Sequence, residues 1–353
     1  MLKIFDLYLA RTLLGTTFIS LTVLIGLSSL IKYIEQLKNV GRGSYDFTVA
    51  GIYVLLSLPR DIEQFFPMAT LIGGLIGMGM LASNSELTVM QASGMSRWQI
   101  IRSAMKTALL MVLFVMAMGE FVTPYAESKA KEIRAQAISG GSLFSSDRLT
   151  WAKDGEKFVS IGEVVDQNNL RDVNIFSFDE QHNLQSIVAA NSAVFINDKW
   201  QLNRVKRTTF ADTVQTFEIY QTNWQSTLTP DKLSVVRIKP EALSIRGLQD
   251  YIGYLENNSQ DAERYSLALW RKILKPVTVG VMLLMALSFV FGPLRSVTMG
   301  ARTIMGVITG FGFFIANEVF GPLSLVYQIP PFIGALLPSL LFALIAMQLL
   351  KRQ

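Results

Sequence analysis

The sequence predicts an α-helical membrane protein of six spans, grouped three and three, with an all-β domain of jelly-roll-like type inserted between the third and fourth. Three observations predict it. Half of the 353 residues are hydrophobic, only 17% are charged, and mean hydropathy is +0.36, a membrane composition. Six stretches meet or approach the about 20 apolar residues that cross about 30 Å of hydrocarbon. Between the third and fourth lies a polar block, rich in Asn, Asp, Gln and Thr and patterned for strands. The chain thus divides into spans one to three (1–123), an inserted domain (124–265) and spans four to six (266–353).

Residues 12–31, 65–83 and 107–119 with its flanks form the spans before the block. Residues 276–294, 303–317 (extended past Glu318) and 329–350 form those after it. The first is no signal peptide: its uncharged run is too long, and no small-x-small cleavage site follows. Gly73, Gly74, Gly77 and Gly79 predict close helix packing along span two, and Gly306, Gly310 and Gly312 either the same or a shift at a gate in span five. Pro276 suits the first turn of span four. Lys3, Arg11, Arg97, Arg102, Lys106, Arg295, Arg302, Lys351 and Arg352 all fall on one side of a six-span chain. Basic residues collect on the cytoplasmic side, so both termini are expected inside and the inserted domain outside. The net charge of +5 follows the membrane and is no nucleic-acid signature. With no cysteine, the domain holds together without disulfides, which suits a bacterial periplasm.

Within the block, residues 158–161, 173–178, 184–190, 192–196, 199–205 and 214–220 alternate as strands. Turn-rich pieces such as Asp166-Gln167-Asn168-Asn169 and Asn197-Asp198 separate them, as in a sandwich or roll. After Pro240, Leu248, Tyr251, Ile252 and Leu255 mark an amphipathic helix, and a second runs from about Asp261 through Trp270 into span four. Trp151, Trp200 and Trp224 are expected in the core or rim of the roll. The single histidine, His182, sits in a polar turn and makes no zinc site without a second ligand.

Between spans two and three, residues 85–94 read as a short helix lying along the membrane. Ser83 or Ser85 is placed to cap it, Glu86 complements its N-terminal dipole, and Gly94 ends it. Leu87, Met90 and Gln91 share a face with Gly94, and an adaptable methionine on an exposed face suits a protein socket. The chain carries no G-x-x-x-x-G-K-[ST], G-x-S-x-G, H-E-x-x-H or paired-cysteine motif. It is expected to be no enzyme, to hold no cofactor or metal, and to take any ATP-derived energy from a partner.

The segment Glu86-Leu87-Thr88-Val89-Met90-Gln91-Ala92-Ser93-Gly94 resembles the coupling helix of the lipopolysaccharide export permeases, the LptF/LptG family. So do Leu30-Ile31-Lys32-Tyr33-Ile34-Glu35-Gln36-Leu37-Lys38, Trp151-Ala152-Lys153-Asp154-Gly155, Leu228-Thr229-Pro230-Asp231-Lys232-Leu233 and Leu287-Ser288-Phe289-Val290-Phe291-Gly292-Pro293-Leu294-Arg295. Gly321-Pro322-Leu323 and Ile329-Pro330-Pro331-Phe332-Ile333-Gly334-Ala335-Leu336-Leu337-Pro338 continue the likeness, which is nearer the G-type than the F-type branch. The resemblance implies an ABC-transporter permease subunit in the inner membrane of a Gram-negative bacterium. Such a subunit pairs with a paralogue (LptF), two copies of the ATPase LptB and LptC. It extracts lipopolysaccharide from the outer leaflet and passes it to a bridge of periplasmic jelly rolls. It also implies Glu86, Leu87, Met90, Gln91 and Gly94 as the ATPase-coupling surface.

Lys32, Lys38 and Arg42 lie where span one reaches the outer edge, a place the charge bias disfavours. From the residues alone, snorkelling with a local Lys32–Glu35 pair and binding of an anionic headgroup weigh equally. The resemblance favours the second, since Lys32 and Lys38 match positions that hold lipid A phosphates. A family basic residue after the second lysine is here Asn39, for which Arg42 is the candidate compensation. Glu63, Glu120 and Glu318 are acidic residues near the membrane, and Glu120 and Glu318 read as hydrated carboxylates at the outer ends of their spans. Two functions compete with transport: a headgroup enzyme using Glu120 or Glu318, and a non-transporting scaffold or sensor with a ligand-binding β-domain.

Overall fold

A computed structural model of the chain describes residues 4–139, 150–165, 168–179, 181, 183–210, 213–230, 240–292 and 297–351. Lys3, Asp166, Gln167, His182, Arg352 and the motif ends 231–233 and 293–295 lie outside the described residues. The helices before the sheet are α1 (Ile4–Leu37), α2 (Phe47–Ser83), the short α3 (Glu86–Ala92), α4 (Arg97–Ala117) and α5 (Thr123–Ser139). A π-helical turn (Met118–Val122) joins the last two. After the sheet come a 3-10 turn (Pro240–Ala242), α6 (Ile245–Asn257), α7 (Glu263–Ile273), α8 (Lys275–Phe291), α9 (Met299–Val326) and α10 (Pro331–Lys351).

Among the described residues, five helical runs are long and apolar enough to span a membrane. The pair α7–α8, bent by 52° at Leu274, makes the sixth when taken as one. Pro276 causes the break. In the first turn of α8 it has no N–H to return to the preceding turn, so α7 ends and α8 starts in a new direction. The α2 helix is buried along most of its apolar length, whereas α1, α9 and α10 leave much of theirs uncovered. Glycine lets α1 lie directly on α2. A Cβ on Gly73 would stand 2.6 Å from Thr17 N, and one on Gly77 2.7 Å from Thr16 Oγ1. Thr16 Oγ1 uses the approach to donate to Gly73 O at 2.7 Å. Gly74 likewise faces Ala286 of α8, and Gly306 and Gly310 of α9 face Leu75 and Met68, while Gly312 faces open space.

The third span does not stop at Pro124. Through the π-helical turn it continues as α5, whose Ala, Glu, Lys, Gln and Arg are good helix formers, so polarity there marks a helix that packs on α2 through Ala126, Glu127 and Ala130 and not a strand. The strands that follow form one antiparallel sheet in which each pairs with the next: β1 (Thr150–Asp154), β2 (Lys157–Val164), β3 (Asn169–Phe178), β4 (Leu184–Ile196), β5 (Lys199–Phe210) and β6 (Val214–Trp224). The runs 184–190 and 192–196 merge into β4, and β1, too short to alternate visibly, adds Trp151 to the edge. Val159, Ile161, Val173, Ile175, Val188, Trp200 and Leu202 turn one face inward, where Tyr251, Tyr254 and Leu255 of α6 cover them. Trp200 and Trp224 are core residues and Trp151, stacked on Phe176, is a rim residue. Trp200 Nε1 donates to Leu228 O at 2.6 Å, which satisfies its buried polar atom.

Candidate functional site

Two regions at opposite ends of the bundle carry the chemistry. At the sheet end, α1 rises out with Lys32 near its last turns, and Lys38 and Arg42 lie in the loop beyond. Lys32 Nζ pairs with Asp61 of α2, whose second oxygen accepts from Ser28 Oγ at 3.3 Å. The local Lys32–Glu35 pair does not form. Glu35 is exposed, while Asp61 is 2% exposed and offers a carboxylate that water no longer screens. Lys38 is exposed and has no partner among the described residues. Arg42 Nη1 lies 3.5 Å from Asn39 Oδ1, so its guanidinium stands beside the neutral position it was to compensate. Ser44 N donates to Ala137 O at 2.7 Å, which fastens this loop to α5.

On the same end, a cavity of about 360 Å³ opens among α2, α7, α8 and α9. Helical spacing aims Arg264, Arg271, Lys272 and Lys275 into it, Arg60 joins from α2, and Glu63, Glu241 and Glu318 face them. Met68, Phe313 and Phe314 form an apolar wall. Glu63 is the internal counter-ion, with Oε1 3.7 Å from Lys272 Nζ and 3.9 Å from Lys275 Nζ. Lys272 Nζ also donates to Gly119 O at 2.9 Å and to Leu243 O, and Arg271 donates to Asn317 O. Arg60 turns to Glu127 of α5 at 3.5 Å, which Lys131 shares at 3.8 Å. The cavity is amphipathic: cations above, aromatic carbon below.

Glu120 is not a hydrated carboxylate. From the π-helical turn it accepts from Ile245 N at 2.7 Å and Arg246 N at 3.5 Å, the first two amides of α6. Ser244 Oγ takes Gly247 N at 2.9 Å and Ser244 O takes Leu248 N at 2.9 Å. Of the open donors of that helix end, Ile245 N and Gly247 N are thereby satisfied and Arg246 N stands at the edge of a bond, while Leu248 N makes the first intrahelical bond.

At the other end, Gly94 ends α3 as expected. With φ +95° it makes a left-handed turn in which Gly94 N bonds Gln91 O at 3.0 Å and Met95 N bonds Met90 O at 3.1 Å. Neither serine caps the helix. Ser85 adopts φ +63° without a side-chain bond, and Ser83 Oγ returns to Gly79 O at 2.9 Å. Glu86 instead accepts from Tyr8 Oη at 2.7 Å and Asn84 Nδ2 at 3.3 Å. Leu87 and Met90 are buried in the bundle core, so Met90 does not lie on the exposed face expected for it; Thr88 and Val89 do. The apolar pair is spent on seating the helix, since at i and i+3 it is the stripe that meets α2. Gln91 and Leu87 line a groove of about 90 Å³ with Thr88, Arg97 and Phe291. Arg302, at the base of α9, is 2% exposed and grips the end of α2 beside α3. Its Nη1 donates to Gly79 O at 2.6 Å and Ser83 Oγ at 3.1 Å.

Sequence reasoning missed Asp61 and the cations of α7 and α8. A signal for the second existed: Arg264, Arg271, Lys272 and Lys275 enter span four from the end that the charge bias makes the outer one, where basic residues are disfavoured. Asp61 has none, because its partner lies on another helix.

Fold and site together define a polytopic membrane protein with an inserted antiparallel β-domain standing over a cationic, aromatic-walled cavity. Residues 7–352 match the sequence model of the lipopolysaccharide export system permeases LptF/LptG, and the chain belongs to that family. It is similar to the lipopolysaccharide export system permease protein LptG of Escherichia coli K12, 49% identical over 99% of this chain and 98% of that protein. Identity with LptG of Haemophilus influenzae Rd is 47% over 100% and 99%. With LptF of Escherichia coli K12 it is 25% over 52% and 51%. The resemblance carried by the motifs is borne out, and the chain is a membrane-spanning transport component.

Proposed function

We propose that this chain is the permease subunit of an ABC transporter in the inner membrane of a Gram-negative bacterium. It extracts lipopolysaccharide from the outer leaflet and delivers it to its β-domain. In this reading residues 124–265 are periplasmic and both termini are cytoplasmic. A paralogous LptF subunit completes a cavity against the uncovered faces of α1 and α9, two LptB ATPases dock at α3, and LptC joins the periplasmic side. One observation carries it: the cations and the sheet share one end of the bundle, and the α3 turn occupies the other. Anionic headgroup binding and delivery then sit together, and energy input sits apart. Lys32, Lys38 and Arg42 hold headgroup phosphate, each lysine ammonium bringing a charge and three donors and the Arg42 guanidinium a charge and five. Exposing acyl chains to water costs about 0.8 kcal/mol per CH₂, so the route must stay apolar until the sheet takes over. That requirement fits a wall of Met68, Phe313 and Phe314.

At the opposite end, Glu86 carries charge at the surface of α3, and Leu87, Met90, Gln91 and Gly94 set the helix and its turn for the ATPase. Replacing Glu86 by Lys tests this. Reconstituted with its partners, Glu86→Lys should lose ATPase co-purification or ATP-driven lipid release. Tyr8→Phe, which keeps the carboxylate and removes only the 2.7 Å bond, should retain both. Unchanged release by Glu86→Lys would favour the scaffold or sensor reading.

A further inference from the structure

Asp61 has no part in the cycle above, yet it is the acid that holds the first headgroup lysine. It projects from α2 and is 2% exposed. Among the described residues its two oxygens meet only α1 groups, Lys32 Nζ and Ser28 Oγ at 3.3 Å. The Lys32 side chain is 27% exposed, so the ammonium keeps an open flank. Lys38 and Arg42 have no carboxylate beside them among the described residues. The outer edge therefore carries two kinds of cation, one covered and two open.

We infer that Asp61 is a positioning residue and a built-in competitor for Lys32. Its carboxylate occupies the ammonium when no lipid is bound, yields it to a headgroup phosphate, and reclaims it as the lipid leaves. This rests on the reading of Lys32 as a headgroup ligand. Three donors let the ammonium pass to a phosphate one bond at a time, without standing bare in a poorly solvated place. Asp61 cannot follow it into water. Once Lys32 turns away, a buried carboxylate is left with one hydroxyl, and that uncompensated charge draws the lysine back. A phosphate monoester brings a charge of about −1.5 to −2 and outbids the single charge of Asp61, whereas a carboxylate ligand merely equals it. The pair therefore selects phosphate and keeps the hold reversible, as a substrate that must be handed on requires.

The test uses the full chain with its partner subunits in lipid nanodiscs and a photo-crosslinker at Ile31, which is half exposed beside Lys32. The probes are lipopolysaccharide with its lipid A phosphates and the same material after enzymatic dephosphorylation. Asp61→Asn should raise retention of the phosphorylated lipid about tenfold, a 1.4 kcal/mol change, and slow its ATP-driven release. Retention of the dephosphorylated lipid should not move. Asp61→Glu should behave like the parent, and in a Lys32→Gln background Asp61→Asn should have no effect. Asp61→Ser is a second neutral variant, so that a folding defect in one does not silence the test. If Lys32→Gln lowers retention while neither neutral variant raises it, or both lipids respond alike, Asp61 is no competitor and the headgroup role of Lys32 stands. If Lys32→Gln retains phosphorylated lipid as well as the parent does, that role falls and the competitor with it.

Discussion

Removing the Glu120 side chain should loosen the helix that joins the spans to the sheet, and the size of the effect follows from the first turn of α6. In that turn Gly247 N bonds Ser244 Oγ and Leu248 N makes the first intrahelical bond to Ser244 O, and both are untouched by Glu120→Ala. Arg246 N lies 3.5 Å from Glu120 Oε1, at the edge of a hydrogen bond, and contributes little. Ile245 N at 2.7 Å is a short bond to a charged acceptor, worth about 1.5–3 kcal/mol. A loss of about 2 kcal/mol raises local opening about 30-fold. Glu120→Gln keeps an acceptor but loses the charge that meets the helix dipole, and should cost about 1 kcal/mol, a roughly fivefold rise. Hydrogen exchange read by mass spectrometry on peptides covering residues 243–250, in nanodiscs, measures both. Ile245 and Arg246 should lose protection well before Gly247 and Leu248. Unchanged protection at Ile245 in Glu120→Ala would refute the assignment of Glu120 as the cap.

Gly73→Ala should destabilise the chain by about 1–3 kcal/mol, since the added Cβ meets backbone of α1 that cannot rotate away. Gly312→Ala, facing open space, should be neutral in the same thermal unfolding assay. Burial, and then nearby Asp154, push the Tyr254 hydroxyl up to about 12 from an ordinary value of 10.0, while it donates to Lys153 O at 2.7 Å. Because the folded value lies above the unfolded one, its contribution is complete below pH 10 and is lost as pH rises from 10 to about 12. Denaturation followed by tryptophan fluorescence should therefore show a falling midpoint across that window, and Tyr254→Phe should flatten it. The remaining slope reports Tyr251, whose hydroxyl burial also pushes up.

Apolar runs and glycine spacing made the spans and their packing readable from the chain, because in a membrane both follow from local composition. The strands were readable wherever alternation ran for four residues or more. Polarity misled at α5, where Ala, Glu and Lys mark a helix leaving the membrane as readily as a solvated domain. For single side chains, sequence spacing spoke only along one helix. It offered Glu35 to Lys32 at three residues' distance, and the fold chose Asp61, 29 residues away and across a helix pair. Glu120 reaches a partner 125 residues on. Met90 failed for another reason: a seven-residue helix has too few apolar residues to seat itself and also display one.

The Arg302 clamp turns α9 into a lever. Its Nη1 fixes the base of the helix to the last turn of α2, next to α3, so the fulcrum lies at the end of the bundle away from the sheet. At 1.5 Å per residue, Phe314 stands about 18 Å and Val326 about 36 Å beyond that point. A tilt of about 10° there carries Phe314 about 3 Å and Val326 about 6 Å. A small tilt about the clamp would thus become a side-chain-sized displacement of the cavity wall at the sheet end of α9.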